Sequence, residues 1–186
     1  MNRLFAYLKF WWHSKNEHGV HSPFVFDLLT KCFYDRSNHS AYQQLYEKNS
    51  KSKFLIRLSA YFKFENCFVS ETIQPKFKEA LNLVQNTSTF KTINDLINNQ
   101  QEILKTPCLI YLDLNTIETT SISDLFQICH KDSTILIPSI RKTKTQFKHW
   151  NQLKSQSEVS VSIDTFYWGL LFFRTEQPKE HFTIRL

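Results

Sequence analysis

Glycine occurs only twice in this chain of 186 residues, at Gly19 and Gly169. Average usage of about 7% would supply roughly 13. Glycine reaches positive φ without steric penalty and lets another backbone or a phosphate come close, so a chain this poor in it must build its turns from residues that carry a Cβ. A nucleotide-binding turn normally leads from the first strand into a helix through glycine-rich backbone. Neither glycine lies in such a turn.

The apolar pattern nevertheless alternates between strand-like runs and helical segments. Cys67 to Ser70, Cys108 to Leu112 and Thr134 to Ile137 are short apolar runs of the kind buried on both faces of a parallel sheet. Between and around them, helices are predicted at 53–62, 75–85, 93–104, 121–130 and 144–155, the last with Phe147, Trp150 and Leu153 at spacings of three. A weak strand is placed at 89–92. Near the N-terminus, Ser22 before Pro23 reads as an N-cap followed by proline at the first helical position, opening a helix at 23–34. Gly19 just before it is placed to supply a positive φ. Residues 35–52 are polar and read as loop or short helix. In the tail, Val159, Val161 and Ile163 alternate with Ser160, Ser162 and Asp164, then a turn leads to Leu170–Phe173. This predicts an antiparallel hairpin at the sheet edge, with a last strand at 182–186. The expectation is an α/β fold with a mainly parallel sheet and an antiparallel C-terminal hairpin. An N-terminal helical extension over 1–52 precedes an α/β domain over 53–186.

With 41% hydrophobic and 22% charged residues, the length suits a single domain. The formal charge of +6 is spread along the chain. Its densest run, Arg141, Lys142 and Lys144, reads as a solvated helix start, so no nucleic-acid partner is expected. Cys32, Cys67, Cys108 and Cys129 stand singly, and the last three sit in apolar runs as free core thiols would, which points to a reducing cytoplasm. No 18-residue uncharged apolar stretch suggests a transmembrane helix, and the start lacks the pattern of a signal peptide.

Residues 2–12 carry apolar side chains on nearly every face of a helix and must be covered. The body of the domain, a second copy and a membrane surface are the candidates, in that order. Leu4, Phe5, Leu8, Trp11 and Trp12 cannot share one surface, which predicts a second contact with residues 23–34 or with another copy. A homodimer or protein partner through this helix follows. His18 and His21, beside Glu17 and Asp27, form half a zinc site at most, so no metal is expected. Ser22, His18 and Asp27 have the residue types of a hydrolytic triad without a nucleophile elbow. Cys67 and Cys108 lack a basic neighbour to activate them. Phe166, Tyr167 and Trp168 read as hairpin packing in preference to a stacking surface.

Two segments carry a family resemblance. Asn16–Asp27 and Val159–Arg174, with Glu176, Gln177 and His181–Leu186, resemble a bacterial branch of the class I S-adenosylmethionine-dependent methyltransferases similar to small-molecule O-methyltransferases. The resemblance implies a Rossmann-like sheet preceded by a short helical region. It also implies where the chemistry would lie. Family members carry an acidic residue and a glycine-rich turn after the first strand, where this chain has Ser70, Glu71 and Thr72. An acidic ribose-binding residue has no counterpart, Asp95 falling inside a predicted helix. The motif after the fourth family strand survives as Asp113 and Asn115 in the run to Ile117, without its His and Arg. The later Asp-Asp pair is replaced by Ile137-Pro138-Ser139-Ile140. The span from 70 to 108 is too short for a full set of strands, implying truncation in the cofactor half. Ser70, Glu71, Thr72, Asp113 and Asn115 are thus degenerate cofactor positions, and no cofactor is expected. The implied function is a methyltransferase-like interaction or structural partner without catalysis. The alternative is a divergent, active enzyme that binds S-adenosylmethionine and acts on a small molecule.

Overall fold

The computed structural model describes residues 3–116 and 121–186. Asn2 and Ile117, which belong to the segments read above, lie outside the described residues. Helix α1 (Arg3–His13) is followed by a 3₁₀ turn at Glu17–Gly19 and by α2 (Pro23–Leu28). The Ser22 hydroxyl accepts the Val25 N–H at 3.4 Å, so the N-cap read from the sequence is present. The predicted helix at 23–34 is α-helical only to Leu28. Leu29–Phe33 form a π-helical turn, closed by the Tyr34 N–H on the Leu29 carbonyl. Arg57 then donates to the carbonyls of Cys32 and Phe33, satisfying groups that a helix end leaves open.

A short α3 (Ala41–Gln44) leads to α4 (Ser50–Phe62), which starts three residues before the predicted helix because Asn49 caps it by accepting the Ser52 N–H. Then follow β1 (Asn66–Ser70), α5 (Pro75–Asn82), β2 (Asn86–Phe90), α6 (Ile93–Leu104), β3 (Cys108–Tyr111), α7 (Ser121–Ile128), β4 (Thr134–Pro138) and α8 (Lys144–Ser155). The tail supplies β5 (Val161–Asp164), β6 (Trp168–Phe172) and β7 (Glu180–Thr183).

These strands form one seven-stranded sheet in the order β2-β1-β3-β4-β6-β5-β7. The first four are mutually parallel, β6 runs antiparallel to both its neighbours, and β7 is parallel to β5. The result is a mostly parallel, Rossmann-like α/β sheet. The hairpin β5–β6 is present but does not form the edge. Both its strands are buried throughout, Ser162 and Asp164 included, and the half-exposed β7 lies outside them. The alternation along β5 therefore separates two covered faces, with the polar side chains held by partners: Ser162 by His181 at 2.8 Å and Asp164 by Arg141.

Strand alternation divides the core in two. Cys67, Val69, Leu109, Tyr111, Leu136, Leu170 and Phe172 join the layer that contains Val25, Leu28, Leu55 and Phe77. Phe68, Cys108, Ile110, Ile135, Ile137 and Leu171 join the layer with Leu96, Leu125 and Trp150. Period-two side chains on a sheet covered on both faces produce this three-layer arrangement. At one edge β2 is polar and largely exposed, as an outer strand can be, which is why its signal in the sequence is weak.

Candidate functional site

In an open parallel sheet the ligand crevice lies beyond the carboxyl ends of the strands, where the chain order reverses. Here β1 is flanked by β2 on one side and β3 on the other, so the reversal falls between β1 and β3. Four of the five sequence-derived positions meet at this point. Ser70 Oγ lies 3.3 Å from Thr72 Oγ1, which donates to Asp113 Oδ2 at 3.5 Å. Asp113 Oδ1 accepts both the backbone N–H and the side-chain amide of Asn115, at 2.9 and 2.8 Å. Gln146, in the first turn of α8, reaches Asn115 Oδ1 at 3.4 Å. Glu71 is different. Its N–H is bonded to the Phe90 carbonyl at the end of β2, and its side chain points to solvent.

The crevice closed by this string is small, about 60 Å³, and is lined by Thr72, Gln74, Tyr111, Asp113, Asn115, Pro138, Ser139, Lys142 and Gln146. A water molecule takes about 30 Å³ and a small-molecule pocket about 300–1,000 Å³. The side chains of Ser70, Thr72, Asp113 and Asn115 bond to each other across this space. Asp95 serves elsewhere: its carboxylate accepts the Thr92 N–H and the Thr92 hydroxyl accepts its N–H, a reciprocal cap on α6.

A larger cleft of about 280 Å³ adjoins the crevice through Gln74, Ser139 and Lys142. Lys51, Lys76, Arg141, Phe77, Phe166 and Tyr167 complete its wall. The Arg141–Lys142 run, read from the sequence as a solvated helix start, is split by the structure. Lys142 is exposed, whereas the Arg141 side chain is only 15% exposed and ion-paired with Asp164 at 2.5 Å. The signal that could have located this pairing, an aspartate closing an apolar alternation, was readable at Asp164.

The weighed motifs near the N-terminus do not assemble. Ser22 donates to Gln177 at 3.1 Å, Asp27 pairs with Lys31, and His18 is exposed beside Glu17. Among the described residues, no three His, Cys, Asp or Glu side chains are placed to share a metal ion. All four cysteines are free. Burial pushes the Cys32 thiol up to about 12 and drives the Cys67 and Cys108 thiols upward as well, so they stay protonated core groups. Trp168 packs against Phe54, Phe77 and Tyr111, as hairpin packing requires, while Tyr167 and Phe166 face the cleft.

Helix α1 buries Ala6 and Phe10 and leaves Leu4, Phe5, Leu8, Trp11 and Trp12 exposed. Its described ring contacts are Tyr7 and Phe10 against Phe166, with Arg141 over Phe10 and Arg185 over Trp11. Through the rings of Tyr7 and Phe10 the helix docks on the β5–β6 turn, and its described ring contacts do not reach residues 23–34. Among the described residues no helix is long and apolar enough to cross a membrane.

No protein-family model matches the chain, and no curated protein is significantly similar to it.

Proposed function

We propose that this chain is a degenerate member of the class I methyltransferase fold that binds no S-adenosylmethionine, does not methylate, and acts as an interaction protein. The closed crevice between β1 and β3 carries the reading. At about 60 Å³ it is several times smaller than a cofactor of that size occupies, and the polar groups that would face the cofactor are bonded to one another. Only β2 lies outside β1 among the described strands, in keeping with a shortened cofactor half. The outward face of α1, with Phe5 and Trp12 exposed, is the surface proposed for the partner.

Isothermal calorimetry with S-adenosylmethionine and S-adenosylhomocysteine tests the loss of the cofactor. No saturable heat is expected at about millimolar ligand, which corresponds to binding weaker than about 4 kcal/mol. A thermal shift provides a second check, since ligand at 100 times its dissociation constant adds about 2.7 kcal/mol of stability. A saturable shift with either ligand would return the active-enzyme reading.

A further inference from the structure

The cleft beside the closed crevice is lined by four cationic residues, Lys51, Lys76, Arg141 and Lys142, and by no acidic one. We propose that it is a binding site for a phosphate group of a small phosphorylated molecule. This goes beyond the proposed loss of the methyl donor and does not depend on it.

Arg141 is the built part of the site. Asp164, itself 8% exposed at the side chain, accepts from Arg141 Nη2 and Nε through its two oxygens, at 2.5 and 3.4 Å. Asp164 Oδ1 also accepts the Phe166 N–H at 2.8 Å. The guanidinium sits among three rings, with its centre 4.2 Å from Phe147, 5.5 Å from Phe10 and 5.9 Å from Phe166. A planar fork fixed on one edge by a carboxylate and held by aromatic faces keeps its other donors aimed in a set direction, which suits a tetrahedral oxyanion. Among the described residues the Nη1 edge has no hydrogen-bond acceptor.

The remaining cations stand around this anchor. Lys51 is held 3.5 Å over the Tyr167 ring, and Lys76 is steadied by Glu47 at 3.0 Å. Lys142 has no ion-pair partner among the described residues. The wall also contains two of the three non-glycine residues with positive φ among the described residues, Ser139 at 55° and Phe166 at 72°, each in a conformation that costs about 1 kcal/mol. The turn between them is fixed by the Ile140 N–H on the Tyr167 carbonyl and the Lys142 N–H on the Ser139 carbonyl. A volume of about 280 Å³ accepts a phosphate or pyrophosphate with a small substituent.

The test is an amide-resolved NMR titration of the full chain with sodium pyrophosphate, at constant ionic strength. Saturable shifts confined to residues 139–142 and 166–167 are expected. Lys142→Gln should raise the dissociation constant about five- to tenfold, and Arg141→Lys should raise it comparably although the charge is kept. Lys91→Gln, the same charge change on another wall of the molecule, should leave it unchanged. A parallel sedimentation with vesicles containing phosphatidic acid separates the sources: binding only to vesicles, lost in Lys142→Gln, assigns the phosphate to a lipid headgroup. Shifts spread over the surface lysines and reduced equally by Lys91→Gln would overturn the proposal, as would the lack of binding in both arms.

Discussion

Among the described residues the left-handed backbone falls on Lys63, Ser139 and Phe166, and on neither glycine. Gly19 ends a 3₁₀ turn without a positive φ, so the freedom expected of it in the sequence is not used. Gly169 has another role. It is the second residue of β6, where an added Cβ would stand 2.6 and 2.8 Å from ring carbons of the fully buried Trp150 and 3.0 Å from Ile140. The close approach is between strand and helix, and a separation of 19 positions hides it from any local pattern. Gly169→Ala should therefore destabilise the protein by about 1–3 kcal/mol as overpacking does, lowering Tm by about 2–4 °C per kcal/mol in a chain of this length. In a Trp150→Phe background, where the larger ring is gone, Gly169→Ala should cost less than it does in the parent. A Gly169→Ala variant that melts with the parent would refute the packing account. The site residues show the same division between local and distant information. Ser70, Thr72, Asp113 and Asn115 are singled out by the family resemblance of the chain. Gln146 could not be, because its importance comes from a partner 31 residues away, and at Asp164 the closing aspartate of the alternation is visible but its partner, 23 residues back, is not.

At the scale of elements, α1 has a buried side and an open side, and the two should respond differently to substitution. Phe10 is 4% exposed and packs against Phe166, whereas Phe5 is 68% and Trp12 80% exposed. Phe10→Ser should cost about 3–5 kcal/mol, the range for emptying a buried phenylalanine site. Phe5→Ser and Trp12→Ser should each change stability by less than about 0.5 kcal/mol while altering self-association or liposome binding, measured by light scattering and flotation. If the outer variants melted as low as Phe10→Ser, the outer face would be part of the core and no contact surface at all. The elements most readable from sequence were those with strong burial: β3, β4 and α8 match their predicted spans within a residue, because continuous apolar runs and a three-residue spacing leave few alternatives. The polar edge strand β2 and the terminal β7 were shifted by two or three residues. Edge strands carry little apolar patterning, and their register is set by the neighbour they pair with: β7 by β5, and by the Lys15–Ile184 bridge just beyond its end. The hairpin was found but misplaced within the sheet, since alternation reports two unlike faces and not whether one of them meets water.

For the molecule as a whole, the ionisable groups that fold into unfavourable surroundings should confine maximal stability to a band near neutrality. His181 is held below its ordinary 6.5 by burial first and by Lys154 and Lys179 second. The folded state then resists a proton that the unfolded chain accepts, so stability falls as pH drops below about 6.5. Asp35, bonded to the backbone and hydroxyl of Ser37, lies below its ordinary value and adds a further loss as pH falls below 3.8 and through its folded value. The alkaline limb is governed by the core. Cys32, Cys67 and Cys108 are at most 1% exposed, and burial raises all three thiols above their ordinary 9.0, Cys32 to about 12. Above pH 9 the unfolded chain loses these protons while the folded one keeps them. Each thiol then removes up to about 1.4 kcal/mol of stability per pH unit. Three such groups remove up to about 8 kcal/mol between pH 9 and pH 11, a large part of a total of about 5–15 kcal/mol. Thermal melts from pH 5 to pH 11 in the presence of a reductant should show a plateau between about 6.5 and 9 and a steep fall beyond it. Cys67→Ala should make that fall shallower, because one of the three protons no longer distinguishes the folded from the unfolded chain. A melting temperature that stayed level to pH 11 would mean that the thiols reach solvent, and that the sheet core is looser than its packing indicates.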